Sequence, residues 1–323
     1  MVKFAEIEEA QNRINHVVKH TNLEYSDFFS QTSGHQVYFK TENLQYTNSF
    51  KPRGASNFVL QLDPDIAARG VITASSGNHG QGVAYIASKM GYPCVIVVPK
   101  GAIEAKVQAI KGLGAEVIYC GTSSEERRKK ARELSEERKM IFVHSFDDPK
   151  IISGQGTVGL EILEDFPEVE VILAPIGGGG LISGILSAVK EKRPDIKVYG
   201  VEPSESNCMY VSLHEGKITK LLKTSTIADG LRSNRPGNLT FPIVRKYIDD
   251  IILVCEDDIL KATKNLLLKA KLLVEPSGAV TSAALISKKI PGKNKKVVPI
   301  ISGGNVDLEF IKKLLDKKGE NTR

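Results

Sequence analysis

No stretch of this sequence is apolar for long enough to cross a bilayer, and its first residues, Met-Val-Lys-Phe-Ala-Glu-Ile-Glu-Glu, contain no apolar signal core. A soluble cytoplasmic protein with no membrane partner is the expectation. Cysteine is scarce: Cys94, Cys120, Cys208 and Cys255 lie far apart and form no Cys-x-x-Cys pair, so they read as buried thiols in a reducing compartment. A clustered basic stripe is missing too. The net charge of +6 arises from 44 basic and 38 acidic residues dispersed over the same segments, which describes a solvated surface and excludes a nucleic-acid groove. There is no internal repeat, no low-complexity linker and no composition typical of disorder.

What is present suits an α/β protein. With 323 residues, 41% of them apolar, the chain buries a sizeable core and has length for about two domains. Ile7, Ala10, Ile14 and Val17 recur at helical spacing and predict an amphipathic helix ending near Thr21. Strands are expected at 37–40, 71–75, 94–98, 116–119, 141–144, 171–176, 197–201 and 297–301. Helices are expected at 52–62, 82–90, 103–113, 124–139, 181–192, 257–269 and 277–288, the fourth an outer helix with a solvated face. Alternation of this kind argues for parallel sheets. The tail from Lys312 onward reads as basic and frayed.

Three loops and one lysine carry the chemistry. In Ser49-Phe-Lys-Pro-Arg-Gly-Ala, Lys51 precedes a proline suited to open a helix, so its amine lies at a positive helix end. That position favours the free amine, the form that attacks an aldehyde to give a Schiff base. Gly177-Gly-Gly-Gly sits between an apolar strand and a helix. Ile182 occupies the position where a dinucleotide fingerprint needs glycine and no Gly-Lys-Ser/Thr follows, which leaves a cup for one phosphomonoester. Ser75-Ser-Gly-Asn-His-Gly-Gln-Gly follows another strand, so Ser75, Ser76, Asn78 and His79 would project into a crevice at the carboxyl ends of the strands. Ser302-Gly-Gly-Asn repeats the arrangement. Taken singly, each admits a plainer reading: a solvated lysine, a tight crossover, a capped turn.

In their order and spacing these four motifs resemble the second fold type of pyridoxal-phosphate enzymes, within it the serine racemase and serine/threonine dehydratase branch. The resemblance spans nearly the whole chain. It implies two open parallel-sheet domains with the active site in the cleft between them: residues 1–69 plus 148–323 as the large cofactor-binding domain, 70–147 as a small mobile one that closes over the site. It implies Lys51 as the lysine joined to pyridoxal phosphate, Phe50 packing on the ring, Asn78 at the ring hydroxyl, Gly177, Gly178, Gly179 and Gly180 around the phosphate, and Ser302 at the pyridine nitrogen. The Ser75–His79 loop would anchor the substrate carboxylate, and a homodimer is implied. Lys51 would act as general base on one face of Cα.

Racemisation needs a second acid/base on the other face, and serine racemases carry a serine where Ser76 stands. A serine racemase with accompanying β-elimination is therefore the first expectation. A threonine/serine dehydratase without racemase activity is the alternative, and a non-catalytic module binding a phosphorylated metabolite the alternative of another class. Glu202 with the backbone carbonyl near Ser206 matches a Mg²⁺ or Ca²⁺ site of the racemases, although the run Ser204-Glu-Ser-Asn-Cys lacks its aspartate and Glu205 or Asn207 would have to substitute. An ordinary ion pair is the plainer role for Glu202. Ser233-Asn-Arg-Pro-Gly-Asn-Leu-Thr looks more like the short catabolic threonine dehydratases, for which no isoleucine feedback is expected.

Overall fold

The computed structural model describes residues 1–316. Among the described residues ten strands form two sheets: β1 (Leu23–Tyr25), β2 (Gln36–Lys40), β3 (Val71–Ala74), β4 (Cys94–Val98), β5 (Glu116–Tyr119), β6 (Ile141–Phe142), β7 (Val171–Pro175), β8 (Lys197–Pro203), β9 (Asp250–Val254) and β10 (Lys296–Pro299). The order is β1-β2-β10-β7-β8-β9 in the larger sheet and β5-β4-β3-β6 in the smaller, whose strands all fall between Val71 and Phe142. Every pairing is parallel except that of β1 with β2. The expected α/β class with parallel sheets is what the chain adopts.

Parallel sheets covered on both faces need strands apolar on both faces, and β7 shows it. Its Val171 and Leu173 join a core with Phe29, Phe39 and Ala283, while Ile172 and Ala174 point the other way into a core with Ile182, Ile185 and Val198. Such a run has no alternation, only length. Because the strands are parallel, β2, β3, β7 and β10 deliver the segments after them to the carboxyl ends of their sheets, and these are the four motif segments.

The second core is closed by two helices, Pro149–Asp165 and Gly180–Lys192, that touch through glycines. A Cβ at Gly184 would lie 2.5 Å from the Gly156 nitrogen and press on the Ile152 carbonyl oxygen. Backbone cannot yield as a flexible side chain does. Gly184→Ala is therefore expected to cost about 2–3 kcal/mol or more, read as a lower urea midpoint at unchanged slope. A midpoint within error of the wild type would show that the helices separate freely.

Some expectations shift. The first helix is Phe4–Ile14 and ends well before Thr21. The helix after the Ser75 loop begins at Asn78, four residues earlier than Gly82, and the fraying expected from Lys312 gives way to helix Leu308–Asp316; the remainder of the tail lies outside the described residues. Of the four thiols only Cys94 and Cys208 are buried, with Cys120 partly covered and Cys255 exposed. No helix among the described residues is long and apolar enough to cross a membrane.

Candidate active site

Lys51 opens helix Lys51–Val59 itself, one residue earlier than its position before Pro52 predicts. Tertiary bonds override the local preference: the Phe50 amide donates to the Ser302 carbonyl at 3.2 Å, and the Phe50 carbonyl accepts the Arg53 amide at 3.1 Å to close the first turn. The side chain of Lys51 is partly buried, and its Nζ lies 5.0 Å from the Phe50 ring centre. Burial pushes the amine down to about 8. Its hydrogen bond goes to the Ser145 carbonyl, at 2.9 Å.

Ser145 leads to the glycine cup. The next residue, Phe146, lays its ring over Gly178, where any Cβ would strike it, and sets its own Cβ and backbone against Gly180. Gly179, with φ of +97°, is the cap of helix Gly180–Lys192 and holds a left-handed conformation that suits glycine. The Gly178 carbonyl is held by Thr240 Oγ1 at 2.7 Å and the Gly237 amide at 3.2 Å. Among the described residues none of the amides of Gly177, Gly178, Gly179 and Gly180 finds an acceptor. Unsatisfied donors at the start of a 13-residue helix suit an anion.

The Ser75 loop divides between two environments. Ser75, Ser76 and Asn78 are partly exposed, and the Ser76 hydroxyl has no bond to the described residues. His79 departs from its expected place: its side chain is 3% exposed and turns inward, Nε2 meeting the Val143 carbonyl at 3.2 Å, because the helix has already begun at Asn78. Burial, reinforced by the charge of Lys51, pushes the imidazole down to about 3, so it is neutral. Its contribution to the crevice is thus backbone. Ser302 is buried, and among the described residues its hydroxyl reaches only the Ser277 carbonyl, at 3.5 Å.

Glu202 lies away from these groups in chemistry. It is wholly buried, and both carboxylate oxygens accept backbone amides, from Met209 at 3.0 Å and Tyr210 at 2.8 Å, at the start of helix Cys208–His214. Ser206 Oγ donates to the Leu231 carbonyl at 2.8 Å. Among the described residues no group of three or more His, Cys, Asp or Glu side chains stands together.

Residues 14–303 match the family described as pyridoxal-phosphate dependent enzyme. The chain belongs to that family. It is 44% identical over 317 residues to an L-threonine ammonia-lyase of Thermotoga maritima, covering 98% of this chain and 79% of the relative. It is 42% identical to the catabolic L-threonine dehydratase TdcB of Escherichia coli K12, covering 97% of this chain and 96% of the relative. Among solved structures, maize serine racemase superposes with a TM-score of 0.93 at 39% identity, covering 97% of each chain. The processed form of threonine deaminase isoform 2 from Solanum lycopersicum gives 0.91 at 36% identity, covering 97% of this chain and 86% of that one. This is the expected second fold type, and the alternative of a non-catalytic module falls away.

The residues fit the family's cofactor. A pyridoxal-phosphate enzyme needs a reactive amine and a phosphate cradle, and Lys51 and the unsatisfied glycine amides meet those needs, joined through the adjacent residues Ser145 and Phe146. Reading the sequence missed this Ser145–Phe146 strap, which no local pattern marks. It also missed Glu275, whose carboxyl accepts an N–H from the Asn78 side chain. The available signal there was a glutamate standing as N-cap before a helix-opening proline, a position that Ser, Thr, Asp and Asn usually fill.

Proposed function

We propose that this pyridoxal-phosphate enzyme is a threonine/serine ammonia-lyase, which converts the hydroxy amino acid into the 2-oxo acid and ammonia. The observation that carries the reading is the hydrogen bond from Lys51 Nζ to Ser145, whose neighbour Phe146 covers the glycine cup. The names of the curated relatives support elimination ahead of the racemisation that Ser76 first suggests. The cup amides and Lys51 would hold the cofactor, with Phe50 packing against it and the neutral Ser302 hydroxyl serving its ring. Once bound, pyridoxal phosphate supplies a sink for the electron pair left when Cα loses its proton. Lys51 Nζ takes that proton, which its lowered basicity suits near neutral pH. The Ser75–His79 loop orients the substrate carboxylate, and residues 70–147 close over the bound substrate to exclude water. A homodimer goes with this reading.

A second reading, serine racemase, draws on the free Ser76 hydroxyl and on the likeness to the maize enzyme. Chiral analysis separates the two. Incubated with L-threonine and L-serine, the wild type is expected to release 2-oxo acid and ammonia in equal amounts, and Ser76→Ala to keep elimination within about tenfold. D-serine from the wild type that disappears in Ser76→Ala would put racemisation first. No 2-oxo acid from either substrate would overturn the lyase.

A further inference from the structure

Glu275 is a buried carboxyl for which the chemistry above has no use. It ends the extended segment before helix Pro276–Ile286, is 2% exposed, and its amide donates to the Gly303 carbonyl at 3.1 Å. Its Oε1 accepts an N–H from the Asn78 side chain. Asn78 Oδ1 in turn accepts from Asn305 Nδ2 at 2.8 Å, and the same nitrogen donates to the Thr47 carbonyl at 2.8 Å. The three residues come from different parts of the chain. Asn78 starts the helix that follows β3 of the smaller sheet, whereas Glu275 and Asn305 flank β10 of the larger. A Cβ at Gly303 would run into Glu275 Oε1 and lie 3.0 Å from Asn78 Nδ2, so the loop is glycine where these groups close on it.

We propose that Glu275 is a positioning residue of this site, which as the carboxylate fixes the Asn78 amide and with it the start of the helix that carries the Ser75–Gly77 loop. The proposal rests on the lyase reading. An asparagine amide left to itself has two nearly equivalent orientations. An acceptor on its nitrogen and a donor on its oxygen leave one. Protonated, Glu275 accepts more weakly, and the hold on Asn78 relaxes. The charged groups facing Glu275 are Lys106, from helix Glu104–Gly112, and Asp229. These two pair at 2.6 Å, and Asp307 also faces Lys106. Burial pushes the Glu275 carboxyl up to about 7, Lys106 and the Asn78 bond pull it down, and Asp229 adds to the rise. Loss of the carboxylate thus falls in the range where such an enzyme is assayed.

Four variants test it: Glu275→Ala, Asn78→Ala, the two combined, and Glu275→Gln, which keeps an acceptor oxygen without the titration. Glu275→Ala is expected to lower kcat for threonine about 10- to 100-fold, the scale of a misplaced binding group. The double variant should fall no more than about twofold below the worse single one, because both remove the same contact. Glu275→Gln should stay within about threefold of wild type at pH 8 and show a shallower fall in kcat between pH 8 and 6 than the wild type, because the Lys51 amine titrates in both and only the Glu275 contribution is removed. The same cycle is read without cofactor, as thermal unfolding of the cofactor-free chain, where the Tm losses of the single variants should exceed their share of the double. If Glu275→Ala does not fold, the pH profile of Glu275→Gln decides. Additive losses in rate and in Tm overturn the proposal, as does a Glu275→Gln enzyme whose kcat falls as steeply between pH 8 and 6 as that of the wild type. A wild type that releases no 2-oxo acid sinks the lyase reading instead, and the unfolding cycle still judges the Asn78–Glu275 contact.

Discussion

Lys51→Ala is expected to remove the visible absorption that pyridoxal phosphate gives on attachment and to lower elimination by about 10⁴-fold or more. One amine serves two purposes in the proposed chemistry, holding the cofactor and taking the Cα proton, so nothing nearby compensates its loss. The neighbour best placed to do so, His79, is buried against the Val143 carbonyl and uncharged. The pH dependence of attachment gives an independent check. Burial lowers the Lys51 amine to about 8, so roughly a tenth of it is free at pH 7. Only the free amine attacks. Attachment of pyridoxal phosphate to the cofactor-free chain, followed by stopped-flow absorbance, should quicken about tenfold from pH 6 to 7 and level off above about 8. An ordinary exposed lysine would keep quickening to beyond pH 10. Persistence of the band in Lys51→Ala, or borohydride fixing the cofactor to another side chain, would refute the assignment.

The parts of this site visible beforehand are those whose chemistry is local. The largely apolar runs of β3, β7 and β10 mark buried parallel strands, and the polar or glycine-rich segments after them fall where such strands end. Helix Pro149–Asp165 stayed hidden because Gly154, Gly156 and Gly159 each cost helix propensity. Their reason is tertiary, since a Cβ at Gly154 would lie 2.7 Å from the Arg53 carbonyl oxygen and one at Gly156 2.9 Å from that of Gly184. β9 was missed because Ile251-Ile-Leu-Val is too short a run for periodicity to assign. β1 has three residues, two of them exposed, and so almost no signal. The inward turn of His79 depended on a helix start that glycines at 77, 80 and 82 obscure, and Glu275 meets Asn78 from 197 residues away.

Arg53→Met is expected to cost about 3–5 kcal/mol of stability, the scale seen when one partner of a buried ion pair is removed. Arg53 follows Lys51 by two residues on the same helix, is fully buried, and forks to two buried carboxylates. Its Nε and Nη2 each donate to Glu42 at 2.8 Å, its Nη1 and Nη2 to Glu161 at 2.6 and 2.8 Å. Lys40, also fully buried, completes the cluster with Nζ 2.7 Å from Glu161. Methionine fills the volume and leaves two carboxylates facing one ammonium. Lysine at this position keeps the charge without the planar fork and is expected to recover only part of the loss. The sign of the pH effect follows from Glu161. Burial alone would raise its carboxyl, but Arg53 and Lys40 outweigh burial and hold it below its ordinary 4.5. A depressed carboxyl lends stability that is full above the unfolded value and is lost as pH falls through the folded one. The wild type should therefore lose part of its urea-measured stability below pH 4.5, and Arg53→Met should lose less over that interval, having started lower. Activity should fall along with stability, since the cluster ties the Lys51 helix to the Glu42 segment and to helix Pro149–Asp165, and Lys51 Nζ keeps its 2.9 Å bond to Ser145 only while those three stay in register. If Arg53→Met unfolds at the wild-type urea concentration and retains full kcat, the cluster is incidental to the placement of the amine.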